Sequence, residues 1–427
     1  MQSEIVESVQ HSITPGVCTD MYYPGTENSD LQCFPTTVEN RFYVDLPSLQ
    51  QGSTSTITFN PSEGLSDIVL TATLPAPSGT TYTNWRLPRG WLHALIDQVG
   101  LRIGGSSLYY FTGDQILIDS LMDCEDSEKK NALFQLAGAE NLVASDYNNI
   151  QNRTGYVYVK MPFNTISALQ KSLPLPTDLL TQPIQLLISF KPFNKVFFPL
   201  AGALQADLPT AFAQAGVNFR QTHMQDTGHL LARREDMNTK ALTYPLRYFA
   251  QTTFRSNVVA PAVGGDININ LTGFRSGSLR RIVLWAQTLA DYNSGNPWNF
   301  KPILSARLSV NGLVYYDTRV SSSQIWNLCD SKTAGAVSNT VLTDAGSGVA
   351  SAIPVASPWT VVMFSQLSEP GAYENELALG LPIMNSVVNL VLQLPAVGGV
   401  DTAYVVSASY HYASSLLFTR GSAEYVF

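Results

Sequence analysis

Residues 90–121, GWLHALIDQVGLRIGGSSLYYFTGDQILIDSL, constrain the fold more than any other stretch, because a closely similar unit returns about 200 residues later. In the first copy Val99, Leu101 and Ile103 alternate with Gly100 and Arg102, the period-2 pattern of a half-buried strand. Gly104 and Gly105 supply the positive φ that a reversing chain needs, and a second strand is expected from Leu108. In the second copy Leu308 and Val310 alternate, and Asn311-Gly312 is the favoured two-residue hairpin turn before Leu313 to Tyr316.

The flanking segments recur in the same order. Arg41 to Val44 (RFYV) answers Arg247 to Ala250 (RYFA), and Thr56 to Phe59 (TITF) answers Asn268 to Leu271 (NINL). Ile68-Val69-Leu70 returns as Ile282-Val283-Leu284. Leu173-Pro174 precedes the apolar run Ile184 to Phe190, as Leu381-Pro382 precedes Val387 to Leu394. Such matches in register imply one domain present twice, and 427 residues are enough for two substantial cores.

Charged residues make up 14% of the chain, against about 25% in ordinary soluble proteins, while the hydrophobic share is 45%. The deficit therefore falls on the surface, which points to burial against other chains. A net charge of −8 without a basic cluster argues against coating nucleic acid, since phosphates must be neutralised by Lys and Arg. Residues 1–16 are polar and acidic and lack the apolar region of a secretory leader, and nothing in the sequence matches an 18-residue apolar span. Cys18, Cys33, Cys124 and Cys329 lack metal-ligand spacing, and free structural thiols are expected. Asn152 and Asn270 head formal glycosylation sequons, read as incidental outside a secretory lumen.

Residues 1–38, with Pro15, Pro24 and Pro35 among small polar residues, read as an extended N-terminal arm. Strand follows strand after it: Arg41 to Leu46, Ser53 to Phe59, Asp67 to Leu74, Tyr156 to Met161 and Ile184 to Phe190. Helical signals are few: a short one at the start of the arm, the clearest over Asp126 to Leu136, a short one near Asn164 to Lys171, and one turn between Ala201 and Gly216. The polar stretch Arg233 to Lys240 marks the boundary, which divides the chain into 39–234 and 235–427. The second half repeats the strand order, adds a low-complexity loop Ser331 to Pro358, and ends its pattern on Tyr404 to Tyr412. Short strands with Gly, Pro and Ser punctuation at this spacing are all-β, a sandwich or barrel.

The chemistry of an active site is thin. His11, His93, His223, His229 and His411 make no HxH, HxxxH or HExxH, and only His223 and His229 lie near one another in sequence. No GxSxG occurs, and Cys124 stands among Asp123, Glu125 and Asp126, which raise rather than lower a thiol pKa. The acidic cluster Asp123 to Glu128 lacks calcium-loop spacing and reads as charge at a helix N-terminus. Gly100 to Gly105 is no phosphate loop, because a strand and not a helix follows it. No catalytic, cofactor or metal residue is therefore assigned, and the protein is not expected to be an enzyme.

Taken together, these segments resemble the major capsid protein of double-jelly-roll double-stranded DNA viruses, the lineage of large eukaryotic viruses, polinton-like viruses and virophages. The resemblance spans most of residues 40–410. It is carried by Asp67 to Leu70, by Leu95 to Gly105 as that family's strand, IGG, strand unit, and by Tyr156 to Phe163 ahead of Leu173 to Pro176. Asp226-Thr227-Gly228 before Tyr244 to Arg247 is similar to the crossing between its jelly rolls, and Ser305 to Gly312 to the second roll's counterpart unit. The ending Leu417 to Phe427 departs from the family's basic, Gly-Met-rich terminus.

The resemblance implies two tandem eight-stranded antiparallel jelly rolls, about Asn40 to Arg233 and Asp236 to Tyr412, with helices only in connections. It also implies a homotrimeric, pseudo-hexagonal capsomer tiling an icosahedral shell within a virion, built with neighbouring capsomers, penton and minor capsid proteins. Direct nucleic-acid binding is not implied, and an internal membrane beneath the shell is compatible. Pro75 to Pro88, Phe163 to Pro183, Ala290 to Lys301 and Glu369 to Ser386 would then face outward. The alternative of another class is a two-jelly-roll protein that binds or hydrolyses glycans, since the fold hosts both.

Overall fold

The computed structural model describes residues 37–46, 52–75, 84–86, 88, 90–104, 106–123, 154–159, 174–199, 201–224, 231, 235, 242–259, 265–274, 278–293, 300–301, 303–317, 337–338, 359–364, 381–383, 386–395, 403–419 and 422–426. The first ten strands are β1 (Thr37–Asp45), β2 (Thr54–Phe59), β3 (Gly64–Thr73), β4 (Trp85–Arg86), β5 (Ile96–Ile103), β6 (Ser106–Phe111), β7 (Thr154–Val159), β8 (Ile184–Phe190), β9 (Phe198–Pro199) and β10 (Gln214–Met224). The rest are β11 (Leu242–Val259), β12 (Asp266–Leu271), β13 (Ser278–Thr288), β14 (Ser305–Val310), β15 (Leu313–Asp317), β16 (Val337–Ser338), β17 (Trp359–Phe364), β18 (Leu381–Pro382), β19 (Val388–Gln393), β20 (Ala403–Thr419) and β21 (Ser422–Val426).

Four antiparallel sheets carry the architecture, and they come as two matching pairs. The first half pairs in the orders β1-β10-β3-β7 and β2-β8-β5-β6. The second half repeats these as β11-β20-β13-β17, extended by β16, β18 and β21, and β12-β19-β14-β15. Both halves are eight-stranded jelly rolls, and the chain is a tandem double jelly roll. The register repeats too: the row Ile57, Leu186, Leu101, Tyr109 of the first roll returns as Ile269, Leu390, Leu308, Tyr316 in the second.

The two hairpins form where the sequence places them. Gly104 has φ +54 beside the closing pair Ile103 and Ser106, and Asn311 and Gly312 have φ +50 and +83 between Val310 and Leu313. Positive φ at the centre of a two-residue turn matches the twist of the flanking strands. A β-bulge then occurs at the same place in both rolls, where the register slips past Leu108 in β6 and past Tyr315 in β15. The turn of each hairpin is tied to the neighbouring strand by the same bond, Gly104 N–H to the Pro183 carbonyl and Asn311 N–H to the Val387 carbonyl.

Several local expectations change. The strand after Gly104-Gly105 begins at Ser106, two residues before Leu108. Residues 90–121 are not all hairpin, because Trp91–Leu95 and Gly113–Asp123 are helices on either side of it. Asp123 ends the second helix, so it does not supply N-terminal charge; the rest of that acidic cluster and the helices expected at Asp126 to Leu136 and Asn164 to Lys171 lie outside the described residues. The last strand runs to Thr419, and β21 folds back on it where a tail was expected.

Burial follows the strand period in β8, where Ile184, Leu186, Ile188 and Phe190 are buried. It does so in β19 with Val388, Leu390 and Leu392. The chain is long enough for two substantial cores, and the buried apolar residues of both rolls join in one contiguous cluster. Ile116, Leu117 and Ile118 of the helix Gly113–Asp123 belong to it.

Leu186 and Leu390 hold equivalent central positions and are both fully buried. Replacing either by Ala removes packed methylenes and leaves a cavity, at a cost of about 2–5 kcal/mol. Denaturant unfolding of Leu186→Ala and Leu390→Ala should show losses of similar size, each with an unchanged or nearly unchanged m-value.

Candidate functional site

The described histidines, His93, His223 and His411, stand on three different elements, the helix Trp91–Leu95, β10 and β20. Among the described residues no group of three or more His, Cys, Asp and Glu could hold a metal ion. His223 Nδ1 stands 3.2 Å from a Glu63 carboxylate oxygen; His11 and His229 lie outside the described residues. So do Cys18, Cys33, Cys124, Cys329 and Asn152, while Asn270 sits on β12 opposite Asn389. No helix among the described residues is long and apolar enough to cross a membrane.

His93 is enclosed within the helix Trp91–Leu95, all of whose residues are buried. Its Nδ1 and the Trp91 Nε1 find no hydrogen-bond partner among the described residues. Desolvation holds its imidazole down to about 3, from the ordinary 6.5. The ring is therefore neutral at pH 7. A Cβ at Gly113 would collide with the His93 carbonyl oxygen, so glycine is what allows the second helix to begin against the first.

That second helix makes the seam between the rolls. It opens at Thr112, whose carbonyl accepts the Ile116 N–H at 3.0 Å. Asp114 in its first turn, where backbone N–H groups favour a carboxylate, accepts the indole N–H of Trp285 on β13 at 3.2 Å. Next to it the Gln115 amide donates to the Ser409 hydroxyl of β20 at 2.7 Å, and Ser409 Oγ lies 3.2 Å from His411 Nε2. All five side chains are buried. In an enclosed site a satisfied polar network fixes one orientation, because any slip leaves its members unpaired. Beside the helix, β6 packs against β11.

The face covered by this seam is the outer face of the second roll's sheet. On β13, Ile282, Leu284 and Ala286 point into the sandwich, and Val283, Trp285 and Gln287 point out, yet all six are buried. Register assigns the same outward positions in the first roll to Val69, Thr71 and Thr73 on β3, to Asn218 on β10 and to Tyr156 and Tyr158 on β7. There the face is open: Tyr156 and Tyr158 are 40% and 42% exposed, and Tyr43 on β1 is 43% exposed. The Tyr43 ring lies over Gly216, where a Cβ would collide with it. Arg220 joins β1, β10 and β3 on that side, pairing with Glu39 at 2.9 Å and Asp67 at 2.8 Å.

Sequence reading singled out none of Asp114, Gln115, Trp285 or Ser409. Their partners lie 171 and 294 residues apart, and no local pattern marks them. The low charge content was the available signal for covered surface.

The His93 site sets a pH dependence. Its folded pKa lies below its unfolded value, so the unfolded chain binds the extra proton between pH 6.5 and about 3, and stability falls as pH falls through that window. The full effect is on the order of 5 kcal/mol. Urea midpoints at pH 7, 5 and 4 should drop more steeply for the parent than for His93→Leu; parallel curves would contradict this.

No family model matches the sequence, and no curated protein matches it. Solved structures do match. PBCV-1 VP54, in a crystal structure fitted into a cryo-EM reconstruction of the virophage Sputnik, is similar with a TM-score of 0.58 and 13% identity, over 94% of this chain and 99% of that one. The Faustovirus major capsid protein gives 0.56 at 10% identity over 98% and 99%. The mavirus major capsid protein gives 0.51 at 9% identity over 90% of each chain. At such identities the likeness is one of fold, and over nearly its whole length that fold is the double jelly roll of these capsid proteins.

Proposed function

We propose that the protein is the major capsid protein of a double-stranded DNA virus, a structural subunit and not an enzyme, located in the virion. Three copies form a pseudo-hexagonal homotrimeric capsomer, and capsomers tile an icosahedral shell. Residues 1–38 are its N-terminal arm, 39–234 its first roll and 235–427 its second. The observation that carries the reading is the strand-for-strand repetition of one jelly roll within a chain, the two copies locked by a buried polar seam. Three such chains offer six similar wedges around a threefold axis, a shape that packs hexagonally. The low charge content supports extensive contact with other chains. Neighbouring capsomers, penton and minor capsid proteins are the partners, with an internal membrane compatible beneath the shell and genome not bound directly.

Light scattering on the purified protein should give about three times the chain mass of 46.6 kDa. A clean monomer at micromolar concentration would count against the reading. The arm is assigned to contacts between capsomers: its composition is poor in large apolar residues and its charge is not basic. Deleting residues 2–35 should leave the trimer intact and impair shell assembly, whereas loss of the trimer would place the arm within the fold.

A further inference from the structure

We propose that Asn311 is a modification site: its side-chain amide is lost through attack by the Gly312 backbone nitrogen, and the folded hairpin sets the rate by holding the two apart. The sequence contains no other Asn-Gly pair. Glycine matters on the attacking side, because it has no Cβ to shield its nitrogen. Both residues are exposed, and a Cβ built at Gly312 meets nothing within 4 Å. The Gly312 nitrogen gives up its proton to solvent base and bonds to Asn311 Cγ; the Cγ–Nδ2 bond breaks, and the amide leaves as ammonia with a proton from water. Water then opens the cyclic imide. Addition at Cγ leaves an aspartyl residue in an unchanged main chain, while addition at the Asn311 main-chain carbonyl leaves an isoaspartyl residue, with the chain running through Cβ and Cγ. Water is the only co-reactant.

In the folded hairpin a clamp holds the reaction off. Asn311 and Gly312 have φ +50 and +83, the turn that a two-residue hairpin favours. Ring closure needs the Gly312 nitrogen on the side of Cα that carries Cβ, and that rotation about the Asn311 Cα–C bond opens the turn. The side chain is fixed as well: Oδ1 accepts the Val387 N–H at 2.9 Å, and Nδ2 donates to Ser386 Oγ at 3.1 Å. Turning Cγ toward Gly312 breaks both bonds. The first roll has no such site, since its turn is Gly104-Gly105 and the Gln182 side chain fills the space that a Cβ at Gly104 would enter.

The clamp sits on the part of the second roll that opens most readily. Among the described residues β15 pairs only with β14, through a bulge, and Leu313, Val314 and Tyr315 are 68%, 46% and 40% exposed. A strand with so little buried apolar contact opens locally before its domain unfolds. Its counterpart β6 packs against β11 and buries Leu108 and Tyr109. Asn311 therefore records, irreversibly, the time that the second hairpin spends open. An aspartyl product keeps the turn, because Asp-Gly is also favoured there. The isoaspartyl product lengthens the main chain between Val310 and Leu313 and prevents a two-residue turn from closing.

The experiment incubates the full-length protein at pH 8 in heavy-oxygen water, native and in urea, and follows label and isoaspartate in the tryptic peptide Leu308 to Arg319. Label should enter this peptide in urea, and in the native protein at least about tenfold more slowly, the ratio reporting the opening of the hairpin. Ser386→Ala removes one bond of the clamp; with the far-UV circular dichroism of the parent, it should react about twofold to tenfold faster than the native parent and at the same rate in urea. Asn311→Gln, whose longer side chain closes a larger ring far less readily, should take up no label over the same time. An unlabelled peptide in urea would overturn the site. Equal rates for the native and the urea-unfolded parent would overturn control by the fold, and a Ser386→Ala protein no faster than the parent would overturn the clamp. Each of these outcomes leaves the proposed trimer untouched.

Discussion

A β-sandwich buries the inner faces of its two sheets and leaves the outer faces to whatever the rest of the molecule supplies. Everything particular to this protein follows from how that constraint is met. The second roll's outer face is covered from within the chain, by a helix whose Asp114 and Gln115 bind Trp285 and Ser409 and whose Ile116, Leu117 and Ile118 belong to the common buried cluster. The first roll's outer face carries tyrosines and is covered by nothing in its own chain among the described residues. One fold used twice thus yields two different surfaces, and the difference lies in the covering and not in the strands.

The seam joins the rolls chemically as well as sterically. Apolar packing alone tolerates small slips, since methyl groups find new neighbours at little cost. A buried carboxylate and amide do not, because each displaced bond leaves a desolvated polar atom at about 1–3 kcal/mol. Gly113 adds a further condition by letting the helix start hard against the His93 carbonyl. The angle between the rolls is therefore set by a few side chains whose identity matters individually.

Much of this was legible in the sequence, and the limits are physical. The hairpin turns, the run Ile184 to Phe190 and the paired motifs Ile68 to Leu70 and Ile282 to Leu284 are local signals, and they fell where local patterning put them. The helix Gly113–Asp123 was missed because Ile116, Leu117 and Ile118 are adjacent and all buried, which erases the helical period. Its role was beyond sequence reading for another reason: a seam between residues 294 positions apart exists only once both rolls have folded. The open tyrosine face was invisible too, since Tyr156 and Tyr158 alternate with Gly155, Val157 and Val159 as any half-buried strand would.

The covalent joining of the two rolls also bears on the entropy of assembly. Every body that enters a closed ring gives up translational and rotational freedom, on the order of 4–15 kcal/mol at standard concentration. In the proposed trimer, three chains with the seam already built would bear that loss in two association steps, where six separate rolls would bear it in five. Half of the contacts of such a ring would then form during folding, at an effective concentration set by the linkage and independent of the protein concentration. Carrying the roll twice in one chain would thereby lower the protein concentration at which the proposed trimer forms.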